Sequence, residues 1–198
     1  MSMTRMSIPE RYRTAAAGFT QRVEGTRDWD APTPVAQWRA RDVVDHLVTW
    51  LPGLLRTAST VRLSPVASAQ DDPVQAWREL DAQVAALLGD PATAELVLRN
   101  QYVGPMPVPV AVDQLFTPDV VFHTWDLARA TGQDDTLDEQ FIARAYAGMV
   151  QNAEMIRGSG QFGEQQPVPD DATTQERFFA FIGRDPRFRP DPGRPARP

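Results

Sequence analysis

The sequence predicts an all-α fold, an up-and-down helical bundle. Three observations carry this. Five segments place apolar residues at helical spacing. They are separated by turn signals such as Gly89-Asp90-Pro91 and Gly158-Ser159-Gly160. No alternating stretch is long enough to build a sheet.

The first helix opens at Ser7-Ile8-Pro9-Glu10, with Ser7 as N-cap and Pro9 in the first turn. Ile8, Tyr12, Ala15, Phe19 and Val23 form its inner stripe. A loop through Asp28–Pro34 leads to a second helix near Arg39, whose first turn carries Asp42 where a negative charge suits the helix dipole. Val43, Val44, Leu47, Leu51, Leu54 and Leu55 make a broad apolar arc, with His46 and Trp50 at its edge. Pro52 lies inside this pattern and predicts a kink. The third helix starts at Asp71-Asp72-Pro73 and turns Val74, Trp77, Leu80, Val84, Leu87 and Leu88 inward. Ala92 to Leu98 reads as a short extra helix, and Gly104 to Pro109 as an extended connection.

Pro118 offers two readings of the fourth helix. Either it starts near Val112 and bends at the proline, or Thr117 caps a fresh helix with Pro118 at its first position. The helix stops at Gly132. Thr136 and Glu139 have capping-box spacing before a fifth helix carrying Ile142, Ala145, Tyr146, Met149, Ala153 and Ile156. Thr173 and Glu176 repeat that spacing before Phe178, Phe179, Phe181 and Ile182. Residues 1–186 are expected to form one domain, and the Arg/Pro-rich residues 187–198 a disordered tail.

Composition narrows the function. With 198 residues, 42% hydrophobic and 23% charged, the chain can bury a real core. A net charge of −6 disfavours nucleic acid as a partner. All basic residues are arginine. The absence of cysteine excludes disulfides, thiolate metal sites and cysteine nucleophiles. No apolar run reaches membrane-spanning length, so neither a membrane partner nor a location outside the cytoplasm is expected.

The chemistry-bearing residues are few. The chain has two histidines, His46 and His123. Asp119 lies four residues before His123, on the same helical face, and Asp126 three residues beyond it. A carboxylate and an imidazole in register supply two ligands of a divalent-metal site, and His46 from a facing helix would supply a third. The bland alternative is a hydrogen-bonded core histidine with an acidic neighbour. Asp126 either orients His123 or pairs with an arginine, and Trp50 and Trp125 either wall a pocket or fill the core.

Three stretches carry a family resemblance: Trp38, Arg41-Asp42 and His46; Asp119, His123, Trp125-Asp126-Leu127-Ala128 and Ala130-Thr131-Gly132; then Phe162-Gly163, Val168-Pro169-Asp170-Asp171-Ala172 and Phe181-Ile182-Gly183-Arg184-Asp185-Pro186. Together they resemble the DinB-like superfamily, in particular the actinobacterial branch related to the metal-binding domain of mycothiol-dependent maleylpyruvate isomerase. The resemblance implies a four-helix bundle with short extra helices, and a His plus Glu-x-x-x-His ligand set that falls on His46, Asp119 and His123. Asp119 stands where the family has Glu. Its arm is one methylene shorter, so Asp119→Glu is expected to raise metal affinity. Zinc is the expected ion, with nickel or iron(II) as alternatives.

The implied substrate is a small molecule, with a low-molecular-weight thiol as co-substrate; a homodimer is an allowed assembly. Three functions stay open: a metal-dependent, thiol-dependent transferase or isomerase; a metal-dependent binding protein without turnover; and a bundle with a degenerate metal site. The isomerase has a further C-terminal domain that this sequence does not reach, so that particular activity is not expected.

Overall fold

The computed structural model describes residues 2–101, 103–158, 160 and 162–190. Its core is a ring of four helices: α1 (Ile8–Gly25), α2 (Ala40–Ala58), α3 (Pro73–Gly89) and α5 (Thr117–Thr131). Helix α1 packs on α3 and α5, and α2 packs on the same two, so each helix has two neighbours across one shared core. A short helix α4 (Val108–Ala111) precedes α5. Helices α6 (Glu139–Gln151), α7 (Ala153–Gly158) and α8 (Thr174–Phe181) follow it, α6 lying against α8. The observed architecture is the up-and-down helical bundle that the apolar stripes predict.

The stripes bury the expected residues. Tyr12, Phe19 and Val23 of α1, Val43, Leu47, Leu51 and Leu55 of α2, and Trp77, Leu80 and Val84 of α3 are buried. Helix α5 is buried nearly all round, including Thr124, His123 and Asp126. A helix enclosed on every side is where a polar residue needs a stated partner.

The termini follow local chemistry. The Ser7 backbone N–H donates to Glu10 Oε2 at 2.9 Å, and the Ser7 hydroxyl donates to the same oxygen at 2.6 Å. Arg39 stands at the α2 cap but cannot accept from the helix amides. Asp42 does the work from inside the helix, accepting the Arg39 N–H at 2.8 Å. Thr173 and Glu176 form a complete capping box before α8.

Four local expectations need correction. The short helix expected over Ala92 to Leu98 is tighter and ends earlier. Pro91–Glu95 is a 3-10 turn, and Val97–Asn100 is strand β1, paired antiparallel with β2 (Gly104–Pro107). Proline-rich β2 pairs on this single side, where its missing donors cost least. The extended connection ends earlier than predicted, because Val108 and Pro109 already lie in the first turn of α4, where a proline N–H would be unpaired anyway. The cap of α6 is Asp138 rather than Thr136. Asp138 accepts from Phe141 N–H at 2.8 Å and also from Met3 N–H at 3.1 Å, so it ties the N-terminus to this helix. The predicted fifth helix breaks at Asn152 into α6 and α7; of its inner stripe Ile142 is buried, and the side chain of Ile156 lies outside the described residues. Helix α2 runs on through Pro52 to Ala58. Residues 191–198 of the expected tail lie outside the described residues as well.

At Pro118 the chain takes the earlier-start reading in a form of its own. Helix α4 passes without a break into a π-helical turn, Val112–Phe116, and this passes into α5. Thr117 N–H donates to Val112 O, five residues back, one residue before the proline that has no N–H to give. The wider turn lets the helix absorb the missing donor. Such turns recur beside functional residues, and Asp119 lies in the first turn of α5, three residues beyond the π turn's last residue, Phe116.

Candidate metal centre

Two helices and a loop build the site. His46 is in the second turn of α2, and Asp119 and His123 stand one turn apart on α5, which packs directly on α2. The loop before α2 is pinned by Ala40 N–H donating to Ala31 O at 2.9 Å and Thr33 N–H donating to Trp38 O at 3.0 Å. Gln37 takes a left-handed φ of 69° there. This turn sets the Trp38 ring 5.1 Å from His46 and 5.5 Å from His123, centre to centre. Trp50 stacks on His46 at 6.2 Å.

His46, Asp119 and His123 converge. The imidazole centres are 4.8 Å apart. Asp119 sits between them, with Oδ2 at 2.9 Å from His46 Nε2 and Oδ1 at 3.5 Å from His123 Nε2. One ligand atom from each residue lies within 4.8 Å of the others. Donors about 2.0–2.1 Å from a shared tetrahedral ion are roughly 3.3 Å apart, so the set needs a small closure to hold one. A His2Asp cluster with this geometry can hold a divalent ion. Among the described residues it is the one group of three His, Cys, Asp or Glu side chains so placed.

Behind His123 lies a second acidic group. Asp126 is fully buried, and its Oδ2 is 2.9 Å from His123 Nδ1. Arg184, from the segment after α8, donates through Nη2 to Oδ2 at 3.1 Å and through Nε to Oδ1 at 3.4 Å. Asp126 therefore does both things the sequence allowed: it meets the imidazole and pairs with an arginine. Burial pushes its carboxyl up, but the Arg184 charge and the hydrogen bond from His123 outweigh that and hold it below the usual range. An ionised carboxylate only accepts, so His123 Nδ1 carries the proton and Nε2 faces Asp119. Burial likewise pushes Asp119 up; the neighbouring His123, the His46 hydrogen bond and the Arg184 charge bring it below the usual range.

These shifts fix a pH dependence. A carboxyl whose folded pKa is depressed adds stability above its unfolded pKa, and that contribution is lost as pH falls through the folded value. Metal-free protein is therefore expected to lose stability on acidification below the ordinary carboxylate range. Asp126→Asn should flatten that loss. Urea midpoints measured at a series of acid pH values check this; parallel profiles for parent and variant would contradict it.

Of the aromatic candidates, Trp50 stands at the site, with Phe116 stacked behind it at 5.8 Å. Trp125 is core: it stacks on Phe179 at 3.9 Å and lies under the Arg129 guanidinium. Sequence reading assigned no role to Arg184. The available signal was a Gly-Arg step directly after an aromatic helix, where a left-handed glycine re-aims the chain.

The fold and site define a class: an all-helical bundle whose facing helices bring two histidines and an aspartate to one point. The chain is similar to two uncharacterized proteins of Mycobacterium tuberculosis, Rv0738 of strain H37Rv and MT0763 of strain CDC 1551 / Oshkosh. Each is 32% identical over 163 residues, which are 79% of this chain and 85% of the relative. The chain belongs to the family of these mycobacterial proteins. No family model matches it, and no solved structure does.

Proposed function

We propose that this chain is a divalent-metal protein of the DinB/maleylpyruvate isomerase-like superfamily, with His46, Asp119 and His123 as ligands and zinc as the ion. We infer a small-molecule substrate and a thiol-dependent transfer or isomerisation. The observation that supports this best is the asymmetry of the cluster. The side chain of His123 is 4% exposed, whereas His46 and Asp119 are 28% and 25% exposed. The ligand set is anchored on its inner side and open on its outer side, the pattern of a site with an exchangeable position.

His46, Asp119 and His123 would hold the ion, which would supply a Lewis acid able to lower the pKa of a bound thiol or water. The protein's own residues do the rest. Asp126 holds His123 in one tautomer. Trp38 and Trp50 stand against the His46 ring and would offer apolar faces to an approaching small molecule. Where His46 Nε2 donates to Asp119, loading the cluster must displace that proton, so binding is expected to release protons and strengthen with pH.

The same hydrogen bond favours a second reading, a bundle in which His46 and Asp119 satisfy each other without an ion. Zinc titration against a competing chelator separates the two. The metal reading expects about one zinc per chain with a dissociation constant below about 1 μM. Weaker or no binding supports the second. In cobalt(II)-loaded protein, a change in the absorption bands on adding a low-molecular-weight thiol would support the substrate class, and an unchanged spectrum would count against it.

For Asp119 we propose the opposite outcome to the one the family's Glu implies. Its carboxylate already spans both imidazoles. A longer arm would have to fold back to keep both contacts. Asp119→Glu is expected to weaken zinc binding roughly tenfold, within the range typical of disturbed ligand geometry. Tighter binding by the variant would show that the aspartate is too short after all.

A further inference from the structure

The third sequence stretch, around Gly163 and Gly183-Arg184, has no part in the ligand set. The structure places it directly behind that set. We propose that residues 162–184 form a strap that delivers Arg184 as the positioning residue of the cluster. Its guanidinium fork fixes the Asp126 carboxylate, and Asp126 fixes His123 with Nε2 turned toward Asp119.

The strap is built at three points. Phe178 and Phe179 of α8 lie against Phe122 and Trp125 of α5, with ring centres 4.7 and 3.9 Å apart, so α8 docks on the same helix that carries His123. Gly183 then takes a φ of +90°, and the chain before α8 crosses it so closely that a Cβ on Gly183 would stand 2.5 Å from Gly163 Cα. Gln166 N–H donates to Ala180 O and Arg184 N–H to Phe179 O, both at 2.9 Å, which close the crossing. The next side chain is aimed inward. Arg184 is 11% exposed, and its third nitrogen, Nη1, donates to Ile182 O at 3.2 Å. All three guanidinium nitrogens are thus committed, two of them to Asp126.

A buried carboxylate held by one imidazole alone could rotate about its own axis and release the ring. A planar fork on both oxygens prevents this, and a lysine, as a point charge with rotating donors, cannot replace it. Arg184 sits behind Asp126, which sits behind His123, so it acts on the ligand through another residue.

The orientation part of the proposal stands without a metal, and the affinity part rests on the metal reading above. The test reads both. With two histidines in the chain, long-range nitrogen–proton spectra of metal-free protein assign each ring, His46→Ala leaving His123 alone. At a pH where the rings are neutral, the parent is expected to show His123 protonated at Nδ1. Arg184→Gln should mix the tautomers. Arg184→Lys, which keeps the buried cation and so protects the fold, should mix them partly. Unchanged His123 spectra in both variants overturn the proposal.

Zinc affinity is the second readout. Arg184→Gln should cost about 10- to 100-fold, the usual effect of losing a partner behind a ligand. In an Asp126→Asn background it should cost nothing further. A loss that persists there overturns the route through Asp126. A parent that binds no zinc sinks the metal reading, while the tautomer measurement still judges the strap.

Discussion

Replacing His123 with alanine is expected to abolish zinc binding and leave the bundle folded. His123 is the innermost member of the cluster, 3% exposed, and it is the proposed ligand behind which Asp126 and Arg184 stand. Its removal takes away a donor and strips the buried carboxylate of one partner, while Arg184 remains to neutralise it. The expected stability cost is therefore modest, about 1–3 kcal/mol. The expected affinity loss exceeds the roughly 100-fold at the upper end for partners behind a ligand. His46→Ala should lose zinc as completely and cost less stability, because that side chain is 28% exposed. Competition titrations with zinc, beside helical circular dichroism of each variant, decide the matter. Parent-like zinc binding by His123→Ala would end the case for this ligand set.

The second large effect is structural. Gly183→Ala is expected to destabilise the protein by about 3 kcal/mol, a fall of roughly 6–12 °C in Tm. Two costs add. The φ of +90° lies where side chains are strained, and the new Cβ would meet the backbone of Gly163 at 2.5 Å, with no flexible side chain to yield. Gly163→Ala is the control. Its Cβ would approach Gly183 no closer than 3.4 Å, and its effect should be under about 1 kcal/mol. Thermal unfolding of both variants checks the pair, and equal midpoints would show that the crossing is looser than described.

The helices were legible because each apolar stripe has one period and one buried face. Tyr12, Phe19 and Val23, or Trp77, Leu80 and Val84, need no tertiary knowledge to be read as inward. The meeting of His46 with Asp119 and His123 was suggested by spacing on two helices, but spacing could not say that the helices would be neighbours; the ring of α1, α3, α2 and α5 does that. The Gly183-Arg184 step marked a turn, but the partner of Arg184 was not legible for a related reason. Arg184 lies 58 residues after Asp126, and nothing local to either residue reports the other. The π turn escaped because proline reads as a bend or a start, whereas here the widened turn ahead of Pro118 carries the helix through. The hairpin was missed because β2 has proline at two of its four positions, which sequence rules demote.

The distance along the chain between Asp126 and Arg184 also orders events in time. Chains are made from the N-terminus, and segments fold as they emerge. The helices that hold His46, Asp119 and His123 are complete by Thr131. The guanidinium that neutralises Asp126 comes later, after α6, α7 and α8. In the interval a nascent bundle that closed over Asp126 would enclose a carboxylate with an imidazole as its one partner, so closure is disfavoured until the last strap arrives. The inner end of the cluster is thus expected to be completed only after the segment carrying Arg184 has joined the helices made before it.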